Sequence, residues 1–167
     1  HRLVVNRGVI IEHPAEAEAE ADAASTEIED AERARRVDLR DLPLVTIDGA
    51  ETCDFDDAVF AERQGEGWRL VVAIADVSFY VEPGTPLDTE AENRATSVYF
   101  PGRVIPMLPE ALSNGLCSLR PDEDRLCLVC DLSINEQGKV TRSRFDAAVM
   151  RSQARLTYEQ VWDWLVS

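Results

Sequence analysis

The segment richest in potential chemistry is TIDGAETCDFDDAV, residues 46–59. It places four aspartates, Asp48, Asp54, Asp56 and Asp57, within one short stretch between apolar runs. Converging carboxylates raise one another's pKa, since two charges about 4 Å apart repel by roughly 1 kcal/mol even in water. A divalent cation removes that repulsion, and hard oxygen ligands suit Mg²⁺ or Mn²⁺. The cluster therefore favours metal-dependent phosphate chemistry, in which two metals activate a water and stabilise a leaving oxygen.

Other aspartate motifs leave alternatives open. An EF-hand loop that begins at Asp54 needs glycine and glutamate where the sequence has Val59 and Gly65, so this motif is excluded. The D-x-D pattern at residues 54–56 is also found in glycosyltransferases and in aspartyl-phosphate phosphatases, although the latter need a hydrophobic strand directly before the first aspartate. A structural loop remains open as well, because aspartate commonly occupies turns.

The cysteines indicate a reducing compartment, which predicts a cytoplasmic location. Cys127 and Cys130 form a C-x-x-C pair, but RLCLVCDLSI is typical of a buried strand, on which residues three apart point to opposite faces. A second ligand pair is missing from the sequence, so we expect free, buried thiols rather than a zinc site. The cysteines are Cys53, Cys117, Cys127 and Cys130.

Composition indicates one globular domain with a sizeable core in 167 residues, of which 45% are hydrophobic. No stretch is long and apolar enough for a membrane helix. The net charge of −15 argues against a nucleic-acid-binding surface within this chain, because such surfaces are usually basic. The sequence begins with His1 and ends in WDWLVS without a helix cap, so we expect a piece of a longer protein.

The order of elements predicts an α+β fold, a meander of strands with helices beside it. Residues 1–12 are typical of a strand, and residues 13–36 form an acidic, Ala- and Glu-rich linker, which we expect to be exposed and helical or partly disordered. Two strands joined by a glycine-containing turn at 64–67 follow the aspartates, and a helix is predicted for 86–100. A loop with one helical turn, a long hairpin around NEQG and a final helix complete the pattern, and Thr157 with Gln160 gives the last helix a capping box.

Three long segments resemble one known family. They are DLRDLPLVTIDG with DFDDAV, GWRLVVAIADVSFYVEPGTPLD, and TSVYFPGRVIPMLPEALSNGLCSLRPDEDRLCLVCDLSI. These segments resemble the catalytic RNB domain of the ribonuclease II / ribonuclease R family, and they are more similar to ribonuclease R proteins. The resemblance implies a mixed α/β domain, with a curved sheet or barrel surrounded by helices and RNA threaded into a deep channel. It also implies a Mg²⁺-dependent 3′→5′ exoribonuclease, with Mn²⁺ as an alternative metal, that releases nucleoside 5′-monophosphates.

The resemblance assigns roles to individual residues. By the resemblance all four aspartates, Asp48, Asp54, Asp56 and Asp57, hold the metals and the attacking water, with Asp48 and Asp57 as metal ligands supported by Asp54. Asp54 and Asp56 are expected to be catalytic, and Asp56 is expected to be needed most for the chemistry rather than for binding. Tyr99 matches the aromatic residue that stacks on the 3′-terminal base. The sequence departs from ribonuclease R proteins at Cys53, where they usually have arginine, and at Phe79, where they commonly have histidine.

The resemblance also sets the expected domains and partners. Residues 1–12 are interpreted as the tail of a preceding cold-shock-type module, residues 13–36 as the linker, and residues 37–167 as the N-terminal portion of the RNB domain. The expected partner is the 3′ end of single-stranded RNA, without DNA or membrane, and the full-length protein is expected to be monomeric. Taken alone, this chain is expected to be inactive, with apolar faces exposed. The alternative is a catalytically deficient RNA-binding protein with an RNB-like fold.

Overall fold

The computed structural model describes residues 11–167, and residues 1–10, which hold most of the segment interpreted as a cold-shock tail, lie outside the described residues. In chain order the elements are α1 Ala15–Ala23, α2 Asp30–Arg35, β1 Val37–Leu39, β2 Val45–Asp48, β3 Asp57–Gln64, β4 Gly67–Ala75, α3 Pro86–Arg94, β5 Val98–Phe100, β6 Arg103–Ile105, β7 Asp124–Ile134, β8 Val140–Arg151, β9 Ala154–Thr157 and α4 Tyr158–Val166.

The chain divides into two compact units. The first unit contains Val77–Gly115 together with the described residues up to Ser25, and the second unit contains Thr26–Asp76 and Leu116–Ser167. Strands and helices are both present, so the predicted mixed α/β fold class is confirmed. No helix in the described range 11–167 is long and apolar enough to cross a membrane.

The second unit is built on a curled seven-stranded sheet in the order β1-β8-β7-β4-β3-β2-β9. The central strands form antiparallel neighbours, whereas β1 pairs with β8 and β9 pairs with β2 in parallel. The predicted glycine turn lies between β3 and β4, where Gly65 has a φ of 63°. The predicted long hairpin is formed by β7 and β8, with its turn at residues 135–139. These turns bring distant segments of the chain into one sheet.

One face of this sheet forms the core of the second unit, and the other face is much more exposed. Residues that alternate along the strands point to opposite faces, which explains the difference between neighbours. The buried face carries Val71, Ala73, Ala75, Cys127, Val129, Ala148 and Met150. On the opposite face, Ile74 and Leu128 are paired across two strands and are both about half exposed, and Phe145 is 75% exposed. The expected exposed apolar face is therefore present.

In the first unit α1 packs against α3, which the sequence interpretation did not foresee. Ala17 and Ala21 are buried, although the linker was expected to be exposed throughout. They lie four residues apart, so they share one helix face, and their small side chains permit a close approach. A carboxylate oxygen of Glu20 also accepts a hydrogen bond from the backbone N–H of Leu87, 3.0 Å away. The expectation of a fully solvated linker was therefore wrong for α1.

The helix predicted for residues 86–100 is shorter in the structure. α3 begins after Thr85, whose hydroxyl caps the backbone N–H of Asp88, and it ends at Arg94. Ala95 then adopts a left-handed conformation with a φ of 62°, which terminates the helix. Residues 98–100 form β5 and pair with β6. The final helix begins where the sequence predicted it, because both hydrogen bonds of the Thr157–Gln160 capping box are present.

The four cysteines are free thiols, as expected, but they are not all buried. Cys117 and Cys127 are buried, and burial raises the pKa of each thiol to about 12. Cys53 is exposed and Cys130 is half-buried, so the prediction of uniform burial was wrong. Cys53 is exposed because it lies in the loop before β3 rather than on the core face of a strand.

Candidate functional site

The structure places all four predicted aspartates at one end of two neighbouring strands. Asp48 is the last residue of β2, and Asp57 is the first residue of β3. These strands pair in antiparallel orientation, so the end of one lies beside the start of the other. Asp54 and Asp56 lie in the connecting loop, residues 49–56, which we call the aspartate loop. The sheet therefore brings these four carboxylates close to one another.

A buried serine fixes the middle of the aspartate loop. Ser118 is fully buried, and its hydroxyl oxygen accepts a hydrogen bond from the backbone N–H of Phe55 at 3.1 Å. The same hydroxyl donates to the carbonyl oxygen of Cys53 at 2.8 Å. These two backbone groups lie on either side of Asp54, so one side chain sets the direction of the backbone at that aspartate.

Two further backbone contacts hold the loop next to the sheet. The N–H of Leu119 donates to the carbonyl oxygen of Phe55 at 2.9 Å. The N–H of Ala75, at the end of β4, donates to the carbonyl oxygen of Asp56 at 2.8 Å. The backbone on each side of Asp56 is therefore attached to buried segments, which limits how far this carboxylate moves.

An arginine of β9 contacts the first half of the loop. Nη2 of Arg155 donates to the carbonyl oxygens of Gly49 and Thr52, both at 3.3 Å, and to that of Ala50. Its guanidinium carbon lies 5.3 Å from the centre of the Phe55 ring, a distance typical of a cation–π contact. Arg155 thus connects the sheet edge to both halves of the aspartate loop.

The electrostatics of the cluster oppose full ionisation. Burial raises the pKa of Asp48, the negative charges of Asp57 and Asp54 raise it further, and Arg155 partly offsets them. Burial also raises the pKa of Asp56, and the neighbouring aspartates add to the effect. One carboxylate oxygen of Asp48 is buried without a hydrogen-bond partner. The site therefore has an excess of negative charge and, within residues 11–167, a buried acceptor without a hydrogen-bond partner.

These properties fit a divalent cation by donor type and by charge. Carboxylate oxygens are the ligands that Mg²⁺ and Mn²⁺ prefer, and a cation stabilises ionised carboxylates that otherwise repel one another. Within residues 11–167, however, no three His, Cys, Asp or Glu side chains are already arranged as a metal-binding group. The carboxylate oxygens suit the cation by type, but these described side chains are not arranged around one common point.

Tyr99, the predicted base-stacking residue, belongs to the first unit. It lies on β5 opposite Val104 of β6, and its side chain is 62% exposed. That exposure distinguishes Tyr99 from an aromatic residue in a packed core. The four aspartates belong to the second unit, so the predicted site residues are divided between the two units.

The sequence interpretation missed Ser118 and Arg155. Each lies more than 60 residues from its partners in the aspartate loop, so short-range spacing gives no signal. The available signal for Ser118 was a small polar residue in an otherwise apolar stretch, GLCSL. For Arg155 it was a charged residue within a short strand pattern immediately before a capped helix.

The comparisons with known proteins agree with this architecture. The model of the RNB domain family matches residues 36–167. Ribonuclease R of Escherichia coli (strain K12) is 60% identical over 150 residues, which cover 89% of this chain and 18% of the relative. Ribonuclease R of Vibrio cholerae is 57% identical over 155 residues, which cover 92% and 19%. The chain thus spans less than a fifth of the length of these relatives.

Solved structures show the same relation. RNase R of Mycoplasma genitalium, solved in complex with double-stranded RNA, matches with a TM-score of 0.93 and 38% identity over 98% of this chain and 29% of that one. Yeast Ssd1, described as a pseudonuclease, matches with a TM-score of 0.75 and 18% identity over 84% of this chain and 18% of that one. At that identity the likeness concerns the fold alone, and this fold therefore also occurs in a protein described as a pseudonuclease.

Proposed function

Because the chain belongs to the RNB domain family, we propose that it forms part of a 3′→5′ exoribonuclease that hydrolyses single-stranded RNA to nucleoside 5′-monophosphates. The observation that carries the proposal is the aspartate cluster, in which mutually repelling carboxylates lie on and beside a loop that is attached to the sheet. The ribonuclease R relatives, at up to 60% identity, supply the reaction class.

We further propose that the activity requires Mg²⁺ and that Mn²⁺ supports the activity in place of Mg²⁺. Asp48 and Asp57 would hold the metal with support from Asp54, because they lie at the facing ends of β2 and β3. Bound metal ions would supply an activated water and charge stabilisation at the phosphate. Asp56 would orient the attacking water, since a hydrogen bond from the N–H of Ala75 holds its backbone in place.

Tyr99 would stack on the base at the 3′ end of the RNA. Its exposed ring supports this role, because stacking on an aromatic face contributes about 1–3 kcal/mol per base and does not depend on base identity. A nuclease that removes nucleotides one after another needs such sequence-independent binding. We propose single-stranded RNA as the partner, with no DNA or membrane involved.

The experiment that tests the function uses the intact natural protein that carries this chain. It is incubated with single-stranded RNA labelled at its 5′ end, with Mg²⁺ or with a chelator. The proposal predicts progressive shortening from the 3′ end, release of 5′-monophosphates, and no shortening after chelation. Binding of RNA without any hydrolysis in Mg²⁺ or Mn²⁺ would support the catalytically deficient RNA-binding protein instead.

We also propose that the chain of 167 residues is inactive by itself. Its exposed apolar side chains support this, because Phe145 is 75% exposed on the sheet and Trp162 and Trp164 are both exposed on α4. In a complete domain such faces are normally covered. The intact protein is proposed to be a cytoplasmic monomer, and the free thiols support the reducing compartment.

A further inference from the structure

We propose that Arg155 is a positioning residue that holds the first half of the aspartate loop closed, so that Asp48 and Asp54 remain facing the same metal-binding space. The inference rests on the proposed function, because it assigns a purpose to the loop geometry. Arg155 does not act on the substrate in this account. It acts through the backbone of residues 49–52, which connects Asp48 to the other three aspartates.

The hydrogen bonds of Arg155 support this role. A single nitrogen, Nη2, is the donor to the carbonyl oxygens of Gly49, Ala50 and Thr52. Carbonyl oxygens that converge on one point repel each other unless a positive donor lies between them. The N–H of Thr52 also donates to the carbonyl oxygen of Gly49 at 3.1 Å, which folds the segment into a turn. The guanidinium group therefore stabilises a turn whose carbonyl oxygens converge on Nη2 of Arg155.

The backbone of Arg155 is part of the sheet. It lies on β9, whose parallel pairing with β2 places it opposite Thr46, which is fully buried. Its guanidinium group also contacts the ring of Phe55, which is buried and whose backbone is held by Ser118 and Leu119. One side chain thus joins the strand that ends at Asp48 to the fixed part of the loop after Asp54.

The guanidinium group of Arg155 is positively charged, but the hydrogen bonds described for it reach no carboxylate that is proposed to bind the metal. Its positive field acts on Asp48 and opposes the fields of Asp54 and Asp57. The hydrogen bonds that the structure gives it go to carbonyl oxygens, not to a carboxylate. An arginine paired directly with Asp48 would compete with a metal for the carboxylate oxygens. Arg155 instead leaves those oxygens available and holds the backbone that carries them.

The test compares three variants of the intact natural protein. Arg155→Met removes the donor and the charge, Arg155→Lys retains a positively charged nitrogen donor, and Arg142→Met is the matched control on β8. Hydrogen exchange of the amides of residues 49–56 is measured without metal. Mn²⁺ affinity is measured by electron paramagnetic resonance, and kcat and KM are measured on single-stranded RNA.

For Arg155→Met we expect faster exchange in residues 49–56, Mn²⁺ affinity and kcat both about 10-fold lower, and a KM for RNA within about twofold of the unmodified protein. Arg155→Lys should recover most of the Mn²⁺ affinity, and Arg142→Met should change none of these quantities. If Arg155→Met does not fold, Arg155→Gln replaces it, with a smaller loss of the same sign.

Unchanged exchange and unchanged Mn²⁺ affinity in Arg155→Met or Arg155→Gln would overturn the proposal. So would failure of Arg155→Lys to recover any affinity, because the bonds to the carbonyls need a charged donor rather than a guanidinium shape. If the unmodified protein binds no Mn²⁺, the proposed function fails instead. The exchange of residues 49–56 then still decides whether Arg155 holds the loop.

Discussion

The second unit contains two acidic sites that differ in how their charge is compensated. At the start of β7, Asp124 accepts hydrogen bonds from Arg33 at 2.5 Å, from Arg40 at 3.4 Å and from Arg151 at 2.7 Å. Burial raises the pKa of Asp124, but the hydrogen bonds from Arg33 and Arg151 outweigh it and hold the pKa below its ordinary value. This carboxylate is therefore stable in its ionised form.

The aspartate cluster shows the opposite electrostatics. Burial and neighbouring negative charges raise the pKa of both Asp48 and Asp56 above the ordinary value. The nearby Arg155 donates to backbone carbonyls rather than to these carboxylates. The comparison shows arginine pairing at Asp124, whereas Arg155, beside the aspartates that are proposed to bind a metal, donates its hydrogen bonds to the backbone.

Replacement of Asp56 should lower the rate of RNA hydrolysis without lowering the stability of the protein. This loss of activity is the largest effect that we expect. We expect Asp56→Asn in the intact protein to lower the rate of RNA hydrolysis by about 100-fold or more. Loss of one repelling charge should leave the free energy of unfolding unchanged or raise it by up to about 1 kcal/mol. Single-turnover hydrolysis and urea unfolding measure the two effects.

The exposed Asp41→Asn serves as the matched control for this prediction, and it should alter neither hydrolysis nor unfolding. If Asp56→Asn hydrolysed RNA at the unmodified rate, the role assigned to Asp56 would be wrong. If it instead unfolded the protein, the cluster would be structural and would resemble Asp124.

Replacement of Ser118 should affect both properties, because this residue connects the core to the aspartate loop. Ser118→Ala leaves the buried N–H of Phe55 without its partner, so we expect the free energy of unfolding to fall by about 1–3 kcal/mol. Mn²⁺ affinity should fall with it, since the backbone on both sides of Asp54 loses its support.

The control for Ser118 is Ser152→Ala, which removes a buried serine whose hydroxyl donates to the carbonyl oxygen of Ala154 instead. It should lower stability without changing Mn²⁺ affinity. Equal loss of metal affinity in both variants would show that general destabilisation, rather than support of the loop, is responsible.

Replacement of Asp124 should change stability alone. Asp124→Asn removes ion pairs with arginines that are one-third to one-half exposed, so we expect a loss of about 1–2 kcal/mol in the free energy of unfolding. RNA hydrolysis at a temperature where the variant is folded should be unchanged. A large loss of hydrolysis in the folded variant would remove the contrast between the two acidic sites.

The pH dependence of that stability difference is the smallest predicted effect. The folded pKa of Asp124 is below its ordinary value of 3.8, so the ionised form is favoured by folding. The stabilisation is therefore present above about pH 4 and is lost as the pH falls through the lower folded pKa. Urea unfolding of the unmodified protein and of Asp124→Asn between pH 7 and 3 should show curves that converge at low pH. A difference that grew on acidification would contradict the assignment.

Local signals in the sequence were sufficient for part of the fold and for the location of the aspartates. The glycine turn of β3–β4 and the capping box at Thr157 depend on neighbouring residues, and both are present. The helix after Pro86 was predicted too long. It ends where Ala95 adopts a left-handed conformation, and no glycine marks this position in the sequence. Buried Ala17 and Ala21 were missed because alanine contributes little to an apolar stripe.

The support of the candidate site could not be predicted, because it depends on contacts between distant segments. The parallel pairing of β2 with β9 brings Arg155 beside a loop about one hundred residues earlier. Ser118 reaches the same loop across more than sixty residues. The types of residue that bind a metal are visible in the sequence, whereas the residues that position them appear only when the sheet is formed.

The central claim, that the aspartate cluster binds divalent cations, is tested most directly by titrating Mn²⁺ into the intact natural protein and following electron paramagnetic resonance. We predict saturable Mn²⁺ binding, from which Mg²⁺ displaces the Mn²⁺. Asp48→Asn and Asp57→Asn should each weaken the Mn²⁺ affinity at least 10-fold, and Asp124→Asn should leave it unchanged. Mn²⁺ affinity that is the same in the unmodified protein and in both cluster variants would contradict the central claim.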